Sequence, residues 1–157
     1  MLALVAGRVA LLIEVKDQDG AMGPGVGPLE QAVAAELEGY AGPVALMSFN
    51  PHSVAALARA APALPRGLTT SAYAPGDWPL LTAATRDRLR AIPDYGATGA
   101  SFISHEAADL SRPRVADLKD GGAAVLCWTI RSPEAEAEAR RIAANVTFEG
   151  YAAAIPA

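Results

Sequence analysis

The chain has 157 residues and a mass of 16.1 kDa, with 17 acidic against 13 basic side chains, a net charge of −4 and a pI near 5.1; it lacks the clustered cations a nucleic-acid binder needs. About 36 of its apolar residues are alanine, and Val, Ile, Leu and Phe make up roughly a fifth of the chain, enough for one core in a single domain over residues 1–157. No apolar run approaches the roughly 18 residues that span a bilayer, the start carries one Arg8 and no cleavage pattern, and a lone Cys127 excludes an internal disulfide framework, so a soluble cytoplasmic protein with no membrane span is expected.

The first strand signal is Leu11–Lys16 (LLIEVK). Gly20–Pro28 (GAMGPGVGP) follows as an expected flexible loop, without the spacing of a dinucleotide fingerprint or the Lys-Ser or Lys-Thr of a phosphate loop. Leu29, Val33, Leu37 and Tyr40 share one face of a helix predicted from about Pro28 to Tyr40. A strand over Val44–Phe49 (VALMSF) leads to Asn50-Pro51, an N-cap with proline at the first helical position, and Val54 and Leu57 then point inward. After a strand at Gly67–Thr70, the irregular Tyr73–Pro79 (YAPGDWP) offers Tyr73 and Trp78 either to a pocket mouth or to the end of the fold. Leu80–Ile92 reads as helix, with Arg86, Arg88 and Arg90 on different sides as a solvated surface. Strands are predicted at Gly99–Ile103 and Ala123–Ile130, the latter holding Cys127 as a packing residue. Ser132-Pro133-Glu134 opens another helix, with Glu136 and Glu138 early and Arg140 and Arg141 late, as the helix dipole favours, and Asn145–Phe148 is the last strand.

The strand starts lie about 22 to 33 residues apart, the length of a strand-plus-helix unit, so the sheet is predicted parallel. Six such units are part of a (β/α)8 barrel, which normally takes about 250 residues. The expected fold is therefore α/β: an incomplete TIM barrel of about six parallel strands in an open, curved sheet with flanking helices.

The most informative chemistry is Glu14 and Lys16. Residues two apart in a strand face one side, so this pair projects together while Ile13 and Val15 point the other way. A charged pair on the interior of an apolar sheet is costly unless partnered or functional. It reads either as a buried structural ion pair or, at the C-terminal end of a barrel strand, as a metal-binding or phosphate-binding pair. Schiff-base chemistry at Lys16 is opposed by Glu14, which favours the charged amine. His52, in the first turn of a capped helix, and His105, after the fourth strand, read as capping or surface residues.

LLIEVK, then Met47-Ser48-Phe49-Asn50, then Val125-Leu126-Cys127-Trp128-Thr129-Ile130 before a Pro-Glu helix, resembles the glycerophosphodiester phosphodiesterase family, whose TIM barrel carries I-E-x-K, S-F-[DN] and W-T on its third, fourth and seventh strands. The resemblance covers essentially the whole chain and aligns it with strands three to eight. It implies metal-dependent hydrolysis of glycerophosphodiesters to glycerol 3-phosphate and an alcohol, as part of lipid metabolism. It also implies Glu14 as a ligand of a divalent metal, calcium or magnesium, Lys16 as a phosphate contact, and Phe49 and Trp128 as substrate-binding residues near the glycerol. The family's H-R-G, E-x-D and second-histidine motifs do not occur, and Glu149 stands where an aspartate is common. The chain is thus expected to lack about the first third of a family member, to hold at most a weak, incomplete metal site, and to leave a bare sheet edge at the Glu14 strand through which it forms a homodimer or aggregates. The alternative function is a truncated, non-catalytic barrel remnant acting by self-association or binding.

Overall fold

All six predicted runs become strands of one sheet, each parallel to its neighbour and ordered β1 to β6 as in the chain. The computed structural model describes residues 1–153. Its elements are α1 (Leu2–Val5), β1 (Leu11–Glu14), α2 (Pro28–Leu37), β2 (Val44–Ser48), α3 (Pro51–Ala60), β3 (Arg66–Thr70), α4 (Ala83–Arg90), β4 (Phe102–Glu106), a 3-10 turn (Ala107–Asp109), α5 (Pro113–Asp120), β5 (Ala124–Ile130), α6 (Pro133–Ala139) and β6 (Asn145–Phe148). The sheet curls into a half-barrel with its helices outside, and β1 and β6 remain its two edges. It is the incomplete TIM-like barrel that the spacing predicts.

Capping explains where the helices start. The Asn50 side chain accepts the His52 N–H (2.9 Å), Thr82 Oγ1 accepts that of Thr85 (3.1 Å), and Ser132 Oγ that of Ala135 (3.2 Å). Thr82 therefore delays α4 to Ala83, later than the predicted Leu80. Gly27, at φ +134, precedes α2 and donates its N–H to Glu30 Oε2 at 2.6 Å. α2 stops at Leu37, short of the predicted Tyr40, whose hydroxyl instead accepts the N–H of Gly7 at 3.1 Å.

Alternation along the strands sorts the side chains onto two faces. Leu11, Ile13, Val15, Leu46, Leu68, Ile103, Val125 and Cys127 pack outward against helical residues such as Leu37, Val54, Leu57, Val115 and Leu118. The opposite, inner face carries Glu14, Met47, Gly67, Thr69, Phe102, Ser104 and Trp128 in the same alternation. Gly67 is required there: a Cβ on it would lie 2.3 Å from the ring of its register partner Phe102. The fourth strand starts at Phe102 and runs to Glu106, three residues beyond the predicted Gly99–Ile103 at both ends. Ser104, His105 and Glu106, beyond the predicted end of the strand, are polar, yet Ser104 and His105 are fully buried within it.

Candidate functional site

Glu14 closes β1 and Lys16 lies two residues on, with Lys16 Nζ 2.8 Å from Glu14 Oε1. The Lys16 side chain is 72% exposed and that of Glu14 20%, while Val15 between them is 3% exposed on the other face. The pair faces the inner side, as the alternation requires, but β1 is an edge strand. Lys16 therefore stands in water, and the reading of a buried structural ion pair does not hold. An exposed pair of this kind contributes at most about 1 kcal/mol.

The neighbouring β2 corner is fixed by buried polar groups. Ser48 Oγ donates to the Val15 carbonyl (2.6 Å) and accepts the Asn50 N–H (3.1 Å). Fully buried Asn50 donates from Nδ2 to Asp17 Oδ1 (2.7 Å) and to the Gly23 carbonyl (2.8 Å). Asp17 Oδ2 in turn accepts the Met22 N–H at 3.1 Å, and Met22 is 8% exposed. These bonds anchor Met22 and Gly23 within the irregular Gly20–Pro28 loop.

Above the inner face four aromatic rings form a continuous lid. Tyr73 and Trp78 have ring centroids 5.1 Å apart, Trp78 and Phe49 4.9 Å, and Phe49 and Trp128 5.5 Å with their planes at 82°. Phe49 follows β2 and Trp128 belongs to β5, so their contact crosses the mouth over β3 and β4. Trp128 is oriented by its indole N–H, which donates to the Ser104 carbonyl at 3.0 Å. Met22, Leu81 and the α4 residue Leu89 form a buried cluster with Tyr73, against which Phe49 and Trp78 pack; burial pushes the Tyr73 phenol well above its ordinary pKa, with Asp94 adding to the shift. Met22 (φ 53) and Tyr73 (φ 51) both adopt left-handed backbone, at a cost of about 1–2 kcal/mol each for residues with a Cβ.

The arginines of α4 are not merely a solvated surface, as the sequence reading had them. Arg90 donates to the carbonyls of Ala72 (2.7 Å) and Tyr73 (3.4 Å), Arg86 to that of Leu81, and Arg88 pairs with Asp94 at 2.6 Å. The helix thereby holds the segment that carries Tyr73 and Trp78.

Neither histidine reaches the inner face. His52 is exposed in the first turn of α3. His105 is fully buried, which corrects its reading as a surface or capping residue, and it belongs to the outward-facing set. Its Nδ1 lies 2.8 Å from Thr70 Oγ1 and its Nε2 3.2 Å from Asp109 Oδ2. Burial holds the imidazole below its usual pKa, against the opposing pull of Asp109. Partial burial pushes the Asp109 carboxyl up, but a two-pronged bond from Arg112 (2.6 and 3.1 Å) and the contact to His105 keep it below the usual range. The network anchors the turn after β4, where Glu106 Oε2 accepts the Ala72 N–H at 3.0 Å. Glu149, beyond β6, is 58% exposed and accepts Arg131 at 2.8 Å.

The sequence reading overlooked Thr69 and Ser104. They are register partners at 2% and 0% exposure, and the hydroxyl oxygens of both lack any hydrogen-bond partner among the described residues. An unmet buried hydroxyl costs about 1–3 kcal/mol. Glu14 Oε1 is likewise buried without an aligned hydrogen bond, despite the 2.8 Å approach of Lys16.

Among the described residues no three His, Cys, Asp or Glu side chains converge. Glu14 offers one carboxylate, already paired with an ammonium, whereas calcium takes six to eight oxygens and magnesium six. The residues present therefore do not by themselves fit the divalent ion that the resemblance implies.

The sequence model of the glycerophosphoryl diester phosphodiesterase family matches residues 3–147. No curated protein matches the chain. Among solved structures it is similar to a phosphodiesterase of Oleispira antarctica in complex with the product sn-glycerol-3-phosphate, at 19% identity and TM-score 0.56 over 76% of this chain and 46% of that one. It also resembles a glycerophosphodiester phosphodiesterase of Parabacteroides distasonis, at 18% identity and TM-score 0.59 over 88% and 52% of the two chains. A glycerophosphodiester phosphodiesterase of Agrobacterium tumefaciens gives 17% identity and TM-score 0.57 over 94% and 55%. At these identities the likeness is one of fold, and the chain spans about half the length of the structures it matches.

Proposed function

The chain belongs to the glycerophosphoryl diester phosphodiesterase family, and from that premise we propose that the C-terminal mouth of its half-barrel binds the phosphate and glycerol portion of a glycerophosphodiester. Its six strands then correspond to strands three to eight of the family barrel, in a single domain. The observation that carries the reading is the exposed Lys16 ammonium beside Glu14 at the end of β1, next to the mouth that Phe49 and Trp128 cross. Lys16 offers a flexible point charge to phosphate, and the two rings offer apolar faces to the carbon skeleton of the glycerol.

Glu14 is the carboxylate that the resemblance assigns to calcium or magnesium. With one carboxylate present, no step is derived through a metal. The chain's two histidines give no general acid or base at the mouth: His52 is exposed on α3, and His105 lies buried on the helix side of β4. Losing proton transfer alone typically costs about 10² to 10⁴ in rate. The expected behaviour of this chain is thus ligand binding without turnover.

Calorimetric titration with sn-glycerol 3-phosphate tests the reading, alongside an assay for choline release from glycerophosphocholine. Binding that weakens at least about fivefold in Lys16→Gln, as loss of a charge-assisted contact predicts, with no choline released, is the expected result. Binding indifferent to Lys16 would overturn the phosphate assignment. Metal-dependent choline release that vanishes in Glu14→Ala would restore the full enzymatic reading.

A second reading, a non-catalytic protein acting by self-association, rests on a different observation. Met1, Leu4, Val9, Leu12 and Leu29 are exposed around the β1 edge, where alternate backbone groups of the strand face away from β2. Light scattering that finds a clean monomer at high concentration would dismiss it.

A further inference from the structure

Lys16 stands just past the end of an edge strand, where a backbone is least constrained. The last backbone bond from this strand to β2 runs from the Val15 N–H to the Met47 carbonyl, at 2.8 Å. Beyond it the chain is held by side chains. Ser48 Oγ donates to the Val15 carbonyl (2.6 Å), Gln18 Nε2 to the Lys16 carbonyl (2.6 Å) and Asn50 Nδ2 to Asp17 Oδ1 (2.7 Å). Gln18 is exposed, whereas Ser48 and Asn50 are fully buried. Ser48-Phe49-Asn50 therefore does two things at once. Its outer residues brace the chain before and after Lys16, while the ring between them meets Trp128 across the mouth.

The cap of α3 does not require an amide at position 50. Only Oδ1 accepts the His52 N–H, and aspartate or serine caps a helix as well as asparagine does. The groups that require the amide are Asp17 Oδ1 and the Gly23 carbonyl, both acceptors that Nδ2 serves at 2.7 and 2.8 Å. An aspartate at this position would instead set two carboxylates against each other.

We propose that Asn50 is a positioning residue: through Asp17 it fixes where the Lys16 ammonium stands beside the mouth, without touching the ligand itself. The inference rests on the reading of Lys16 as the phosphate contact. It adds the device that holds a flexible lysine in place, since a segment already ordered before binding loses less freedom on binding.

The experiment measures affinity for sn-glycerol 3-phosphate by calorimetry, with thermal unfolding, for the wild type, Asn50→Asp, Asn50→Ser and Asp17→Asn/Asn50→Asp, each also in a Lys16→Gln background. Asn50→Ser keeps a cap but is too short to bond Asp17, and Asn50→Asp turns that bond into a repulsion. Each should weaken binding about three- to fivefold. The exchanged pair again opposes an amide to a carboxylate at unchanged net charge, and should return to within about twofold of the wild type. In the Lys16→Gln background the Asn50 substitutions should change affinity by less than about twofold, because the contact they position is gone. Wild-type affinity in the folded Asn50 variants, whatever their unfolding temperatures, would make Asn50 a structural residue only and overturn the proposal. So would an exchanged pair that does not recover, or a loss undiminished in Lys16→Gln, which would mark a direct effect of charge or a general loosening of the mouth. If Asn50→Asp does not fold, Asn50→Ser and the exchanged pair decide the matter. A wild type whose binding is indifferent to Lys16 would overturn the phosphate assignment, and this proposal with it.

Discussion

Replacing Gly67 by alanine tests whether the inner face is packed as described. Taken alone, alanine in a strand interior should gain roughly 0.5–1 kcal/mol over glycine through the entropy of the unfolded chain. Here the new Cβ would sit 2.3 Å from Phe102 Cδ2 and Cε2 and 2.6 Å from Cζ, whereas ordinary contact begins near 3.4 Å. The ring must therefore move by about an ångström, although Phe102 is only 6% exposed and lies in a paired strand. Overpacking of this kind costs about 1–3 kcal/mol, so the clash outweighs the entropic gain and the variant should unfold roughly 2–10 °C lower. Chemical denaturation of Gly67→Ala, Phe102→Ala and the double variant closes a cycle. In the Phe102→Ala background the Gly67 substitution should become neutral or stabilising, a coupling of about 1–3 kcal/mol. An unfolding temperature that is unchanged or raised in the single variant would refute the packing argument.

Four further outcomes are expected. Asn50→Ala removes the cap of α3 and the bonds to Asp17 and Gly23; it should lower stability by about 2 kcal/mol or more, and limited proteolysis should then cut within Gly20–Pro28. The buried His105 has a lowered pKa, so the unfolded chain binds the additional proton first; stability should fall as pH drops below about 6.5, by up to about 1.4 kcal/mol per unit, and His105→Asn should flatten that slope in urea titrations. Asp109, held low, keeps its contribution until pH falls below about 3.9 and loses it there. Burial pushes the Cys127 thiol up to about 11 despite nearby Arg140; a thiol reagent at neutral pH should label it only at the rate of unfolding, and immediate labelling of the folded protein would contradict its placement.

The architecture was readable from the sequence wherever local chemistry decides it. Asn50-Pro51 and Ser132-Pro133 start helices because their side chains cap N–H groups two or three residues away, and the branched runs recur at the period of a strand-plus-helix unit. The alternation that sends Glu14 and Lys16 to one side and Val15 to the other was equally plain. Long-range contacts were not. Nothing in the spacing shows that Asp17 meets Asn50, 33 residues away, so Gly20–Pro28 read as flexible. Ser104-His105-Glu106 fell outside the predicted strand, since a strand covered on both faces should be apolar. The polarity of that stretch is tolerated because His105 has Thr70 and Asp109 as partners, residues distant in sequence or hidden in the following turn. Thr69 and Ser104 carry no motif, and they become notable only when the strands are set side by side and their hydroxyls are found without partners.

The aromatic lid gives the protein a built-in optical probe. Its two tryptophans, Trp78 and Trp128, flank the single ring of Phe49. Every indole photon the folded chain emits therefore originates at the mouth of the half-barrel. Parting of Phe49 from Trp128 would bring water to an otherwise partly screened indole and shift its emission to the red. Any opening of the mouth on ligand addition can thus be followed without a label, by stopped-flow fluorescence on the native sequence, with Trp78→Phe and Trp128→Phe assigning the signal to one side or the other.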